Sequence, residues 1–353
     1  GLTGVAVALG PLLGGYLVES VSWRAIFLIN LPLGILVILA ASRPVPETRD
    51  PTASGRLDTP GAALAALGLG GTTYALIEAP DAGASPALLV AAIGGVLALV
   101  AFLVVERRSA NPMMPLTLFA SRQFSAANLV TFVVYAALGG VFFLLVAFLQ
   151  ISLGYSPLAA GAASLPVTLL MLLLSARSGG LAQRIGPRIP LTAGPLVIAL
   201  GLLLMMRIDP GDAYVSSVLP AVIVFGLGLT LVVAPVTATV LAAADSRHSG
   251  IASGVNNAVS RVAGLLAVAI FPLIGGLTGE AFYDASAMTA GFHDAMLAAA
   301  LLAALGGAIA WFTIDPHVLA AEPEPHEDYM CPVSGTPLRP GHEAEAQPST
   351  AGA

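Results

Sequence analysis

Apolar stretches of about 17 to 25 residues follow one another along most of this chain, each long enough to cross the roughly 30 Å of hydrocarbon in a bilayer. They fall near residues 1–18, 24–42, 60–78, 86–105, 125–149, 158–176, 190–207, 216–242, 250–275 and 293–314. In lipid an unpaired backbone N–H or C=O has no water to turn to, so a segment of this kind crosses as a helix. The pattern predicts an all-α, polytopic transmembrane protein with about ten spans. Composition agrees: of 353 residues, 57% are hydrophobic and 10% charged, against roughly one-quarter charged in a soluble domain.

The arginines orient the spans, because bases stay on the cytoplasmic side of short loops. If the first span runs outward, Arg43, Arg49, Arg56, Arg107, Arg108, Arg122, Arg177, Arg184, Arg188 and Arg247 lie inside, and only Arg24 and Arg207 lie outside. Arg261 falls within a span and Arg339 in the C-terminal tail, which the same count places in the cytoplasm. There are 20 acidic residues against 14 basic ones, with many acids in the last forty positions, so nucleic acid is not an expected partner. The expected surroundings are the lipid bilayer of the cell membrane.

Between the spans, residues 43–59 are rich in proline and charge and read as a cytoplasmic linker, and residues 106–124 as a cytoplasmic loop with a short interfacial turn. Residues 316–353 are acidic and proline-rich and are expected to stay disordered. His326, Cys331 and His342 in that tail lack the spacing of a metal site, so no metal and no cofactor is expected. Nothing resembles H-E-x-x-H, G-x-S-x-G or a nucleotide-binding G-x-x-x-x-G-K-[ST] pattern. Neither an enzyme nor a nucleotide-driven pump is indicated, and any work must draw on an ion gradient.

In the first span Ala6, Gly10 and Gly14 recur every four residues, and Pro11 with Gly15 makes a second small stripe beside them. Such stripes let another helix approach closely, and Pro11 frees the carbonyl of Val7 and bends the helix. On its own the pattern reads as an ordinary tight crossing. The wider pattern is more specific. Gly10-Pro11-x-x-Gly14-Gly15 resembles the antiporter motif of the major facilitator superfamily, and Ser22-Trp23-Arg24 with Phe27-x-Ile29-Asn30-x-Pro32-x-Gly34 resembles its fourteen-helix drug:proton antiporter family. Asn111-Pro112, Pro115-Leu116, Phe119, Ser121-Arg122-x-Phe124, Ala126 and Asn128 are similar to that family's loop before its ninth helix. Gly250-x-Ala252-Ser253-Gly254-x-Asn256-Asn257 is similar to the start of its thirteenth.

The resemblance implies a major facilitator fold holding helices five to fourteen. Residues 1–42 would be the last two helices of an N-terminal bundle, 60–105 two accessory helices, and 125–315 a six-helix C-terminal bundle. Two bundles related by an axis along the membrane normal imply an internal echo. Pro11-Leu12-Leu13-Gly14-Gly15 indeed returns as Pro272-Leu273-Ile274-Gly275-Gly276. The stretch at 178–191 resembles the superfamily's gating loop, with Gly179, Arg184, Gly186 and Arg188 in place and Gln183 where the family usually has aspartate. The plainer alternative for Arg184 and Arg188 is cytoplasmic anchoring of a tight turn.

A charge inside the membrane is costly enough to point to function. Arg261 is the clearest, with Asn256 and Asn257 on its approach, and it either faces a cavity or snorkels to the interface. Glu19 and Glu78 are expected at wet outer ends, and Asp58, Glu106 and Asp245 at cytoplasmic boundaries. The resemblance adds Asn128, Tyr135, Gln150, Phe142 and Met171 as cavity candidates, with plain packing the alternative for the last two. It implies export of small amphipathic or cationic compounds in exchange for protons. A non-transporting membrane sensor and an inactive truncated remnant are the alternatives.

Overall fold

The computed structural model describes residues 10, 13–42, 58–82, 85–109, 112–244 and 249–320, and every element among them is helical. Residues 13–20 are helical. Beyond them run α1 (Ala25–Leu28), α2 (Asn30–Ala41), α3 (Thr59–Ala82), α4 (Pro86–Arg108), α5 (Arg122–Ile151), α6 (Pro157–Ala163), α7 (Leu165–Ile185), α8 (Arg188–Met205), α9 (Leu219–Ala242), α10 (Ser249–Ile274) and α11 (Ala285–Thr313). Short 3-10 turns occupy Leu116–Ala120 and Gly279–Tyr283, and a π turn at Tyr214–Val218 leads into α9. Among the described residues, eight helical runs are long and apolar enough to cross a membrane, and α1 with α2 makes a shorter apolar run. Most of the expected span at 1–18 lies outside the described residues, as do residues 43–57 and the tail beyond 320.

Local chemistry sets the ends. Ser85 and Ser156, each followed by proline, accept the N–H of Leu88 and Ala159 and start α4 and α6. Ser121 does the same for α5 through Phe124. The last span begins at Ala285, earlier than residue 293, because Asp284 caps the weakly apolar run after it by accepting the Ala287 N–H at 2.8 Å. Hydrogen bonds from Ser286 and Ala287 hold the Asp284 carboxyl below the usual carboxylate range. The span expected at 158–176 runs on to Ile185 and breaks at Ser164, between α6 and α7. The one expected at 24–42 breaks at Ile29.

α5 is the most enclosed helix. α10 and α11 flank it, α11 lies against α8, α8 against α9, and α9 against α7. α3 and α4 form a hairpin whose first arm also touches α10. Lipid tails are as apolar as leucine, so packing in a membrane rests on close approach, not on expelling water. Gly201 and Gly228 provide it between α8 and α9: a Cβ on Gly201 would lie 2.6 Å from the Phe225 nitrogen, and one on Gly228 would lie 2.6 Å from the Ile198 nitrogen. Between α5 and α11, Phe148 stacks on Phe292 with centroids 4.1 Å apart. In α2, Ile35 to Leu39 are each more than half exposed, an apolar surface on every side that suits lipid or other apolar helices.

Polar ties mark the two ends. At one end Gln123 at the start of α5 donates to Thr313 and accepts from the Asp315 N–H, while Arg188 Nε donates to the Ile314 carbonyl at 2.6 Å. Ser121 at the same end donates to Ala243. At the other end Ser152 donates to Ala285, and half-buried His293, inside α11, meets the Ile208 carbonyl at 3.0 Å. Arg122, Arg184 and Arg188 therefore share one end of the helix set.

Gly228→Leu should drive its side chain into the Ile198 backbone and cost about 1–3 kcal/mol or more of overpacking. The expected result is a lower melting midpoint in detergent. Gly70→Leu, where nothing lies within 4 Å of an added Cβ, should leave the midpoint unchanged. Equal midpoints for the two variants would contradict this account of α8 and α9.

Candidate functional site

α5 and α10 meet where neither carries a side chain: a Cβ on Gly139 would lie 2.6 Å from the Gly264 Cα. Beside this crossing is a groove of about 670 Å³, lined among others by Tyr135 and Phe142 of α5 and by Asn257, Ser260, Arg261 and Leu265 of α10. That size falls within the roughly 300–1,000 Å³ of small-molecule sites. Its wall mixes aromatic, amide, hydroxyl and cationic groups. Phe142 is held edge-on by Phe225 at 5.7 Å.

Arg261 lies near the middle of α10 and lines this groove. Among the described residues no carboxylate forms an ion pair with it. Arg261 is exposed, so water or a negative group entering the groove can reach its guanidinium. Asn257 stands one turn before it and Ser260 directly before it, and Ser260 donates to the Asn257 carbonyl.

The other amides sit apart. Asn256 faces α5, where its side-chain oxygen is 2.9 Å from Thr131 Oγ1, itself 2.9 Å from the Ala127 carbonyl. The hydroxyl has one proton, so both contacts are met when it bonds Ala127 and the Asn256 amide turns its nitrogen toward Thr131. Asn128 is buried; its nitrogen donates to the Phe124 carbonyl at 2.9 Å, and its oxygen has no hydrogen-bond partner. Gln150 donates to Val146 and stands fifteen residues beyond Tyr135, about 22 Å along the helix. The structure thus brings Tyr135, Asn257 and Arg261 together, places Asn256 against Thr131 of α5, buries Asn128 with its one bond inside α5, and leaves Gln150 away from the groove. Met171 is partly buried against the core.

The stretch expected to act as a gating loop ends α7. Gly186 has φ +82°, which favours glycine, and an added Cβ would strike the Pro316 carbonyl. Together with the Arg188 bond to Ile314, this locks the α7–α8 turn to the end of α11. Gln183 and Arg184 are exposed, and Gly179 has room for a Cβ, whose nearest neighbour, Ala234 Cβ, would be 3.7 Å away.

Of the antiporter-like motif, Pro11 lies outside the described residues, and added Cβ atoms on Gly10 and Gly14 would meet nothing within 4 Å. Gly15 is different, since its Cβ would lie 2.8 Å from the Leu158 Cα at the start of α6. One turn on, Glu19 accepts the Leu158 N–H at 3.1 Å, so it is a helix-to-helix tie and not merely a wet end. The echo at Pro272 does other work: Gly276 turns the chain at φ +65° after α10, and Gly275 admits the Gly291 carbonyl. Sequence reasoning passed over Ser260, Thr131 and the Gly139–Gly264 crossing. The Gly139-Gly140 pair was the available signal, of the same kind as Gly14-Gly15.

The pattern of the Major Facilitator Superfamily matches residues 1–268. The chain is 33% identical to Multidrug resistance protein Stp of Mycobacterium tuberculosis, over 76% of the chain and 50% of that protein. It is 34% identical to the Methylenomycin A resistance protein of Bacillus subtilis, over 90% and 66% respectively. It is 32% identical to a puromycin resistance protein of Streptomyces alboniger, over 96% and 68%. The chain spans about half the length of the first of these relatives. With most of its length matched and its helices of membrane-spanning size, the chain belongs to the major facilitator superfamily.

Proposed function

We propose that this protein is a secondary active transporter of the cell membrane that exports small amphipathic compounds, cations among them, in exchange for protons. The observation that carries the reading is the groove between α5 and α10, with Tyr135 and Phe142 facing Asn257, Ser260 and Arg261, which lies midway along α10. The names of the relatives speak of multidrug, methylenomycin A and puromycin resistance, which supports small antibiotics as the substrate class.

In the proposed mechanism two bundles rock about the groove. Residues 125–315 form one bundle, residues 1–42 contribute the last two helices of the other, and 60–105 are accessory. Gly15 and Glu19 against α6 are the contact at which the bundles bear on each other, and the α7–α8 turn closes the cytoplasmic side. The tail after 316 lies in the cytoplasm. Arg261 reads substrate charge: with no carboxylate paired to it among the described residues, its guanidinium favours neutral or anionic parts of a molecule and repels a cation that brings no counter-charge.

Inverted membrane vesicles carrying the protein test this. Addition of a substrate should collapse part of a preformed pH gradient, and the compound should accumulate inside. Binding without accumulation or proton movement would instead identify a sensor, and failure to insert would identify an inactive remnant.

Arg261→Gln should shift the ratio of cationic-dye to neutral-amphiphile transport toward the cation by about tenfold, the equivalent of about 1.4 kcal/mol. An unchanged ratio would remove Arg261 from the groove's selectivity. Gly15→Leu should abolish transport without loss of membrane insertion, since the side chain would have to enter the Leu158 backbone; normal transport by that variant would exclude the proposed bundle contact.

A further inference from the structure

The cytoplasmic end of the α3–α4 hairpin holds a second arrangement of ionisable groups, outside the groove. Glu106, in the last turn of α4, is only 2% exposed. Its Oε2 accepts the Met114 N–H at 3.0 Å, while its Oε1 is buried with no hydrogen-bond partner. Asp58 repeats this at the start of α3: Oδ1 accepts the Gly61 N–H at 2.8 Å, and Oδ2 is buried without a partner. The two orphaned oxygens face the same point. A Cβ on Gly61 would lie 2.8 Å from Asp58 Oδ2 and 2.9 Å from Glu106 Oε1.

Two ionised carboxylates so arranged would repel each other with neither free oxygen solvated or bonded, at a cost of several kcal/mol. One proton removes both faults, because a protonated oxygen donates to the other acid. Asp58 sits at the N-terminus of α3, where the helix dipole favours its negative form. Glu106 has no such support. The backbone groups that reach the pair, the N–H of Gly61, of Met114 and of Met113, are donors; they suit carboxyl oxygens and offer a metal ion nothing. Among the described residues, α3 brings no other ionisable group to this end, the turn at 112–115 brings none, and Arg107 and Arg108 of α4 are exposed.

We infer that Asp58 and Glu106 form a proton-binding site, in which Glu106 carries the proton on Oε1 and donates it to Oδ2 of Asp58. The site clasps three pieces of chain: the start of α3, the end of α4, and the turn at Met114 that leads toward α5. The proton comes from cytoplasmic water and returns there when the clasp opens. Folded protein then binds one more proton here than two separated carboxylates would, so this contribution to stability is present at low pH and is lost as pH rises past the point where the proton leaves.

Infrared difference spectra of the protein in lipid vesicles, taken across a pH titration, test the assignment through the C=O stretch of a protonated carboxyl. The expected result is such a band at neutral pH in the wild type, lost in Glu106→Gln, whose amide N–H replaces the O–H donor. In Asp58→Asn the band should persist but titrate away at lower pH, because the anionic acceptor that held the proton is gone. A wild-type spectrum without the band, or one equal to that of Glu106→Gln, would overturn the assignment. Should Glu106→Gln fail to fold, the Asp58→Asn titration decides: an unchanged midpoint overturns the site, and a downward shift supports it.

Discussion

Helices in a bilayer gain little from hiding apolar surface from one another, since lipid receives that surface equally well. What holds this structure together is the closeness with which backbones meet, and glycine sets it. The Gly139–Gly264 crossing joins α5 to α10, Gly201 and Gly228 join α8 to α9, and Gly275 lets α10 end against α11. Each contact fixes a pair of helices, and the pairs share members, so the order α10, α5, α11, α8, α9, α7 follows from local fits. The groove is a product of the same constraint. Helices that touch at Gly139 and Gly264 cannot also touch where Tyr135 and Arg261 project, and the space between those side chains is what remains.

The helical class and most helix centres were legible because apolar length is itself the physical requirement for crossing a bilayer. Ends were less so. The start of α11 was missed by eight residues: the run after Asp284 is only weakly apolar, and what makes it helical is the cap. The break at Ser164 and the extension of α7 through Arg177 and Arg184 to Ile185 depend on neighbours that hydropathy does not record.

The site was legible in kind more than in position. Arg261 stood out because a mid-span charge is rare, and Asn257 and Tyr135 fall beside it. Gln150 carries the same chemistry but lies several turns further along α5, a distance invisible when residues are chosen by type alone. Asp58 and Glu106 were both assigned to cytoplasmic boundaries, but nothing in the linear text sets position 58 beside position 106. Only the antiparallel pairing of α3 and α4, with Gly61 leaving room between them, places the two acids face to face.

The knot formed by Gly186, Arg188, Ile314 and Pro316 joins elements more than a hundred residues apart through one charged hydrogen bond and one glycine-sized gap. Gln123 ties the start of α5 into the same knot through Thr313 and Asp315. Three helix ends are thus geared to one another, and any tilt of one is transmitted to the others as torque instead of being absorbed by a slack loop.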